Sequence, residues 1–370
     1  MNVVPFAGNR WKVTASSYVG SLVADGVTLL IRPKINPENL FLLLEPGLPP
    51  KAWRDEVFEY DTSADLLSSV ISLFARVVET TLGRGVLKSY EEREEPLVAI
   101  RGRINLTEQF RRAGVLTPVA CAYDNYSENV IENRALRAAI RLALRVPLLA
   151  PKDRRRLMSQ LVALDEVDDV HVQPETIDSI HVTRLNEHYA PALGLARLLL
   201  ANLTLTDRYG SASASSFMVD MNDLFQRFVT DRLRRSLRGQ LDVISEPDVH
   251  LGAGRQVSMH PDLVFRDLRG ADCFVGDVKY KLTRDARAHS SDYYQLLAYT
   301  TAMNLSEGIL IYCRAPDGAD ERTIRVKHTD KQLLLRAIDL AGTPEQVERE
   351  IAELAKLISA ASRRLDQQLR

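Results

Sequence analysis

Only three cysteines, Cys121, Cys273 and Cys313, occur in the 370 residues. They lie far apart, with no CxxC pair and no Cys/His spacing suited to structural zinc, so they read as buried thiols of a reducing cytoplasm. No run of about 18 apolar residues exists, and the opening MNVVPFAGNRWKVTASS lacks a basic head followed by an apolar stretch. Neither membrane spanning nor secretion is expected. A surplus of one charge is also missing: 48 basic residues face 49 acidic ones, for a net charge of -1. Any nucleic-acid surface must therefore come from local clustering. Internal repeats and low-complexity tracts are absent, and so is a GxxxxGK[ST] loop to cradle a nucleoside triphosphate.

What is there fits a folded, soluble chain, with 45% apolar and 26% charged residues. At roughly 100 to 200 residues per domain, two domains are expected. Residues 11–45 read as short strands: WKVTASSYVGSLV, a turn at Ala24-Asp25-Gly26, VTLLIRPKI, and LFLLLE after Asn36-Pro37. From Ser63 to Leu82 the apolar spacing becomes helical, with Asp61 or Thr62 as cap. A polar stretch, KSYEEREEPL, follows. Further helices are expected over SENVIENRALRAAIRLALRV, Asp153 to Leu164, and PALGLARLLLANL.

Residues 203–217 (LTLTDRYGSASASSF) are rich in Ser, Thr, Gly and Ala, which places the domain break near Leu205 and gives domains 1–205 and 206–370. Beyond it come an amphipathic helix (MVDMNDLFQRFVTDRLRRSL), strand-like runs near 241–247, 256–266 and 272–282, a helix at 290–303, and the strand GILIYC. Thr343 should cap a last helix with Pro344 at its first position and Val347, Ile351, Leu354 and Ile358 on one face. The expected class is α/β: a β-module and helical region, then a mixed sheet flanked by helices.

The chemistry concentrates at Met259-His260-Pro261-Asp262-Leu263-Val264-Phe265 and Phe274-Val275-Gly276-Asp277-Val278-Lys279-Tyr280-Lys281. Residues i and i+2 of a strand share a face, so Asp277 and Lys279 point together, and a neighbouring strand in register adds Asp262. Two converging carboxylates repel each other and favour a hard divalent cation, Mg²⁺ with Mn²⁺ as the alternative. Lys279 is placed to orient an attacking water or meet the phosphate. On the following helix, Gln295 and Tyr299 lie on one face, suited to holding the lysine and contacting DNA, while an aromatic packing stripe explains Tyr293, Tyr294 and Tyr299 equally well. Lys281, Arg284 and Arg287 are candidate phosphate contacts, or a solvated basic loop. Alone, a D-x-K pattern is common in a chain of this composition.

Pro261-Asp262 with Asp277-Val278-Lys279-Tyr280-Lys281 resembles the PD-(D/E)xK nuclease superfamily, and the wider sequence resembles its McrC-like restriction subunits. Tyr18-Val19-Gly20, Arg32-Pro33-Lys34-Ile35, Arg101-Gly102-Arg103-Ile104, Ser127-Glu128-Asn129-x-x-x-Asn133-Arg134-Ala135-Leu136 and Met221-Asn222-Asp223-Leu224-Phe225-Gln226-Arg227-Phe228-Val229 carry that resemblance along nearly the whole chain. It implies a Mg²⁺-dependent endonuclease subunit that acts on DNA with a McrB-like AAA+ GTPase hexamer, in a system directed at modified cytosine. It also implies that residues 1–205 couple to the motor, with the missing phosphate loop assigning nucleotide chemistry to that partner. The chain departs from the pattern at Gln226, where relatives often have an acidic residue; Asp223, one turn earlier, is a candidate substitute. Asn129, Asn133 and Arg134 read as capping and interdomain hydrogen-bonding residues. A non-cleaving adaptor of the motor and a stand-alone nuclease are the competing readings.

Overall fold

The computed structural model describes residues 2–368 apart from 7, 9, 15–16, 25–26, 34, 36, 45–65, 113, 148, 207–213, 253, 284–289 and 315–320. Its contacts divide it into two compact units, one of Met1–Leu66 with Met218–Arg370 and one of Leu67–Phe217. This division differs from an expected single break near Leu205, because the first segment groups with the last. Among the contacts that join them, the Asn39 side-chain amide donates to the carbonyls of Leu340 and Gly342, each at 2.7 Å.

Asn39 sits on a helix, Pro37–Leu44, where the sequence reading expected a strand. Pro37 at the first position and Glu38 in the first turn suit a helix start. Leu40, Phe41, Leu42, Leu43 and Leu44 are all buried. A short run that is apolar on every side carries no period, so helix and buried strand look alike in it. Ahead of it, Tyr18–Ala24 and Val27–Ile31 form an antiparallel hairpin. The expected turn residues Asp25 and Gly26, and the caps Asp61 and Thr62, lie outside the described residues.

The first unit is built on a six-stranded mixed sheet, in spatial order Asp242–Ser245, Leu263–Arg266, Asp272–Thr283, Glu307–Arg314, Gln332–Ile338 and Glu321–Arg325. The first three are antiparallel, the middle pairs parallel, and the last antiparallel. Asp272–Thr283 is covered on both faces. Val264, Val275, Leu310, Tyr312, Leu335 and Ala337 pack with Leu296 and Tyr299 of the Ser290–Ala302 helix. By strand alternation Tyr280 points the other way, and its ring meets Phe225 of the Met221–Ser236 helix edge-on. The last helix, Pro344–Gln368, starts as expected: Thr343 Oγ1 accepts from the Gln346 amide, and Gln346 Oε1 accepts from the Thr343 amide. Val347, Ile351, Leu354 and Ile358 are buried.

The second unit pairs helices, among them Leu66–Leu82, Ile131–Leu144, Pro151–Ala163 and Ala190–Asn202, with a three-stranded sheet. The polar stretch is one of its strands: Ser89–Leu97 pairs antiparallel with Val119–Ser127, although almost every residue is exposed. With no buried face it has no alternation to read. The Ser/Thr-rich stretch also contains strand, Leu203–Thr206 paired with Ala214–Asp220. Asn129, Asn133 and Arg134 do not cap the Ile131–Leu144 helix, whose N-cap, Val130, makes no side-chain bond. Asn133 donates to the carbonyls of Leu87 and Glu128, and Asn129 binds Arg134 and Asp168, stitching loops within this unit. All three cysteines are free and buried. Among the described residues no helix is long and apolar enough to cross a membrane.

Candidate functional site

The Asp272–Thr283 strand carries Asp277 with no solvent exposure. Leu263 pairs with Gly276, so the preceding residue, Asp262, falls beside Asp277. Asp262 Oδ2 accepts the Val278 amide at 2.7 Å, which fixes its carboxylate against the neighbouring strand. Lys279 Nζ lies 3.0 Å from Asp277 Oδ2, donates to Oδ1 at 3.1 Å, and sits 3.6 Å from Asp262 Oδ2. Asp277 and Lys279 of the D-x-K pattern and Asp262 of the Pro-Asp pair therefore form one cluster.

Burial pushes the Asp277 carboxyl up to about 7, with the Asp262 charge adding to the rise and Lys279 opposing it. For Lys279, burial disfavours the ammonium, but the two carboxylates outweigh it and hold its pKa above the ordinary value. Among the described residues, Asp277 Oδ2 accepts no hydrogen bond of good geometry; its contact with Lys279 is ionic only.

Gln295 and Tyr299 come together, but with each other. Gln295 Nε2 donates to the Tyr299 hydroxyl at 2.6 Å, and that hydroxyl donates to the His260 carbonyl at 3.2 Å, two residues before Asp262. Tyr299, expected among the DNA contacts, is 3% exposed and braces the His260 carbonyl. Lys281, half-exposed, donates to Asp292 at 3.0 and 3.3 Å. Arg284 and Arg287 lie outside the described residues. Asp223 pairs with Arg227 at 2.8 Å. Gln226 instead donates to Glu246 at 2.9 Å, and the Glu246 amide donates to the Asp262 carbonyl at 3.2 Å. Sequence reasoning missed Glu246, Asp292 and Tyr312. Of these only Asp292 left a signal, three residues before Gln295 on the same helix face.

The sequence matches the model of a family described as McrBC 5-methylcytosine restriction system component over residues 13–313. The chain belongs to the McrBC family. Its fold is McrC-like: it is similar to a chain in the refined half-complex from a tetradecameric assembly of Thermococcus gammatolerans McrB AAA+ hexamers with bound McrC. That likeness has 23% identity and a TM-score of 0.53, over 96% of this chain and 85% of the other. A chain of the Thermococcus gammatolerans McrBC complex is similar at 27% identity and a TM-score of 0.42, over 60% of this chain and 68% of that one. No curated protein matches.

The donor set of this McrBC chain fits a hard divalent cation. It offers oxygen ligands from Asp262 and Asp277, and the buried Asp277 Oδ2 lacks a hydrogen-bond donor. Among the described residues no three His, Cys, Asp or Glu converge closely enough to cage an ion. Mg²⁺ suits such a sparse site, because it keeps several waters and is bound through one or two carboxylates plus substrate phosphate.

Proposed function

We propose that this chain is the DNA endonuclease subunit of a restriction complex directed at 5-methylcytosine, hydrolysing phosphodiester bonds with Mg²⁺. The observation that carries the reading is the convergence of Asp277 and Lys279 on one strand with Asp262 just ahead of its neighbour. Asp262 and Asp277 would hold the cation, which supplies positive charge against the phosphate and acidifies a bound water. Lys279 would orient the attacking water and meet the charge that develops on the phosphoryl oxygens. Its pairing with both carboxylates keeps it protonated for that task.

Coupling to an AAA+ GTPase hexamer belongs to the same reading. A similar structure contains McrB AAA+ hexamers with bound McrC, and this sequence lacks a phosphate-binding loop of its own. The Leu67–Phe217 unit has a surface suited to a protein partner: Val98, Ile100, Leu106, Phe110 and Leu116 are all strongly exposed within 19 residues of chain, from 98 to 116.

The test is cleavage of methylated and unmethylated plasmid with Mg²⁺, by wild type and Asp277→Ala, alone and with the AAA+ protein and GTP. Cutting of the methylated plasmid that needs the partner and disappears in the variant is the expected result. Cutting that survives Asp277→Ala would sink the assignment. The adaptor reading has one observation in its favour, Gln226 where an acidic residue would strengthen the metal side; raised partner GTPase without cutting by wild type would select it.

A further inference from the structure

Beside the proposed nuclease site lies a polar cluster that the reaction does not use. Asp292, in the first turn of the Ser290–Ala302 helix, is 5% exposed. Its carboxylate accepts from Lys281 Nζ, from Ser291 Oγ at 3.3 Å, and from the buried hydroxyl of Tyr312. Tyr312 is the register partner of Lys279 on the neighbouring parallel strand. Just past that pair the ladder is irregular: Leu282 is matched to Cys313, so Tyr280 and Lys281 have no counterparts. Bulges of this kind bend a strand and re-aim its side chains.

We infer that Asp292 is a positioning residue for Lys279: it grips Tyr312 opposite the lysine and Lys281 inside the bulge, and so fixes where the strand presents the Lys279 ammonium. This rests on the nuclease reading. The grip spans two strands and a helix, because the helix that carries Asp292 also carries Gln295 and Tyr299, which anchors on the His260 carbonyl. Bends at the bulge and at the segment leading into Asp262 are thus held from a single helix. Replacing Asp292 by Asn keeps its size but removes the charge that holds Lys281, and a catalytic group displaced by about 1 Å can lose on the order of a hundredfold in rate.

The test uses the full chain. Hydrogen exchange is followed on wild type, Asp292→Asn and Tyr312→Phe, and cleavage kinetics are measured with the AAA+ protein, Mg²⁺ and methylated plasmid. Expected for Asp292→Asn is faster amide exchange confined to 278–283 and 290–299, with kcat down about tenfold or more and KM for DNA unchanged. Tyr312→Phe should shift the same amides more weakly, and the double variant should cut no more slowly than Asp292→Asn. Unchanged exchange over 278–283, or unchanged kcat, would overturn the proposal, as would a loss carried entirely in KM. If Asp292→Asn fails to fold, Tyr312→Phe decides by the same criteria. A wild type that never cuts counts against the nuclease reading itself, and the exchange result alone then supports or overturns the grip on the strand.

Discussion

Asp262 binds the strand that carries Asp277 through its backbone: Asp262 Oδ2 accepts the Val278 amide at 2.7 Å, while Asp277 beside it is fully buried with a carboxyl raised to about 7. The two carboxylates thus differ in surroundings. One is oriented by the sheet, and the other is held poised between protonation states.

That poise sets a pH dependence. A carboxyl near 7 in the fold and about 3.9 when unfolded binds more protons folded, so its contribution is fully present below about pH 4 and is lost as pH rises to about 7. Asp277→Asn should therefore be more stable than wild type at pH 8, by up to about 4 kcal/mol, with the difference shrinking toward pH 5. Urea unfolding at a series of pH values measures it. Mg²⁺ competes with the same proton, so its apparent affinity should rise about tenfold from pH 6 to pH 8 in calorimetric titration. A flat profile would mean that Asp277 does not titrate in this range.

Gly308 lies where the Ser290–Ala302 helix meets the sheet. A Cβ there would fall 2.7 Å from Thr300 Cγ2 and 2.9 Å from Leu296 Cδ1. Gly308→Ala should cost about 1–3 kcal/mol through overpacking, read as a lower urea midpoint with unchanged slope.

Asn39→Ala removes both hydrogen bonds that tie the Pro37–Leu44 helix to Leu340 and Gly342. Each is a buried or part-buried link, so a loss of about 2 kcal/mol is expected in thermal unfolding. Limited proteolysis should then release the N-terminal segment first. An unchanged midpoint would show that the helix is held by its leucines alone.

Where the sequence was legible, a period or a local rule carried the information. The Thr343–Gln346 capping box, Pro344 and the buried Val347, Ile351, Leu354 and Ile358 follow from residue type and spacing. Asp277 and Lys279 share a face because strand side chains alternate. Where it was illegible, the deciding contact was distant. Ser89–Leu97 is a strand paired with Val119–Ser127, and the Leu40–Leu44 run shows no period because all five residues are buried.

The sequence by itself determined the D-x-K pair, the helices with an apolar stripe, and the family, since each depends on residues close in the chain or on motifs in a fixed order. Tertiary structure decided the register that sets Asp262 beside Asp277, and it alone decided that Lys281 serves Asp292 and that Gln226 meets Glu246. Strand register, a strand irregularity and helix-to-sheet packing place those partners, and all of these arise between segments separated in the chain. No local propensity encodes them, because a one-residue slip would leave each segment's own pattern intact while turning every one of its side chains to the other face.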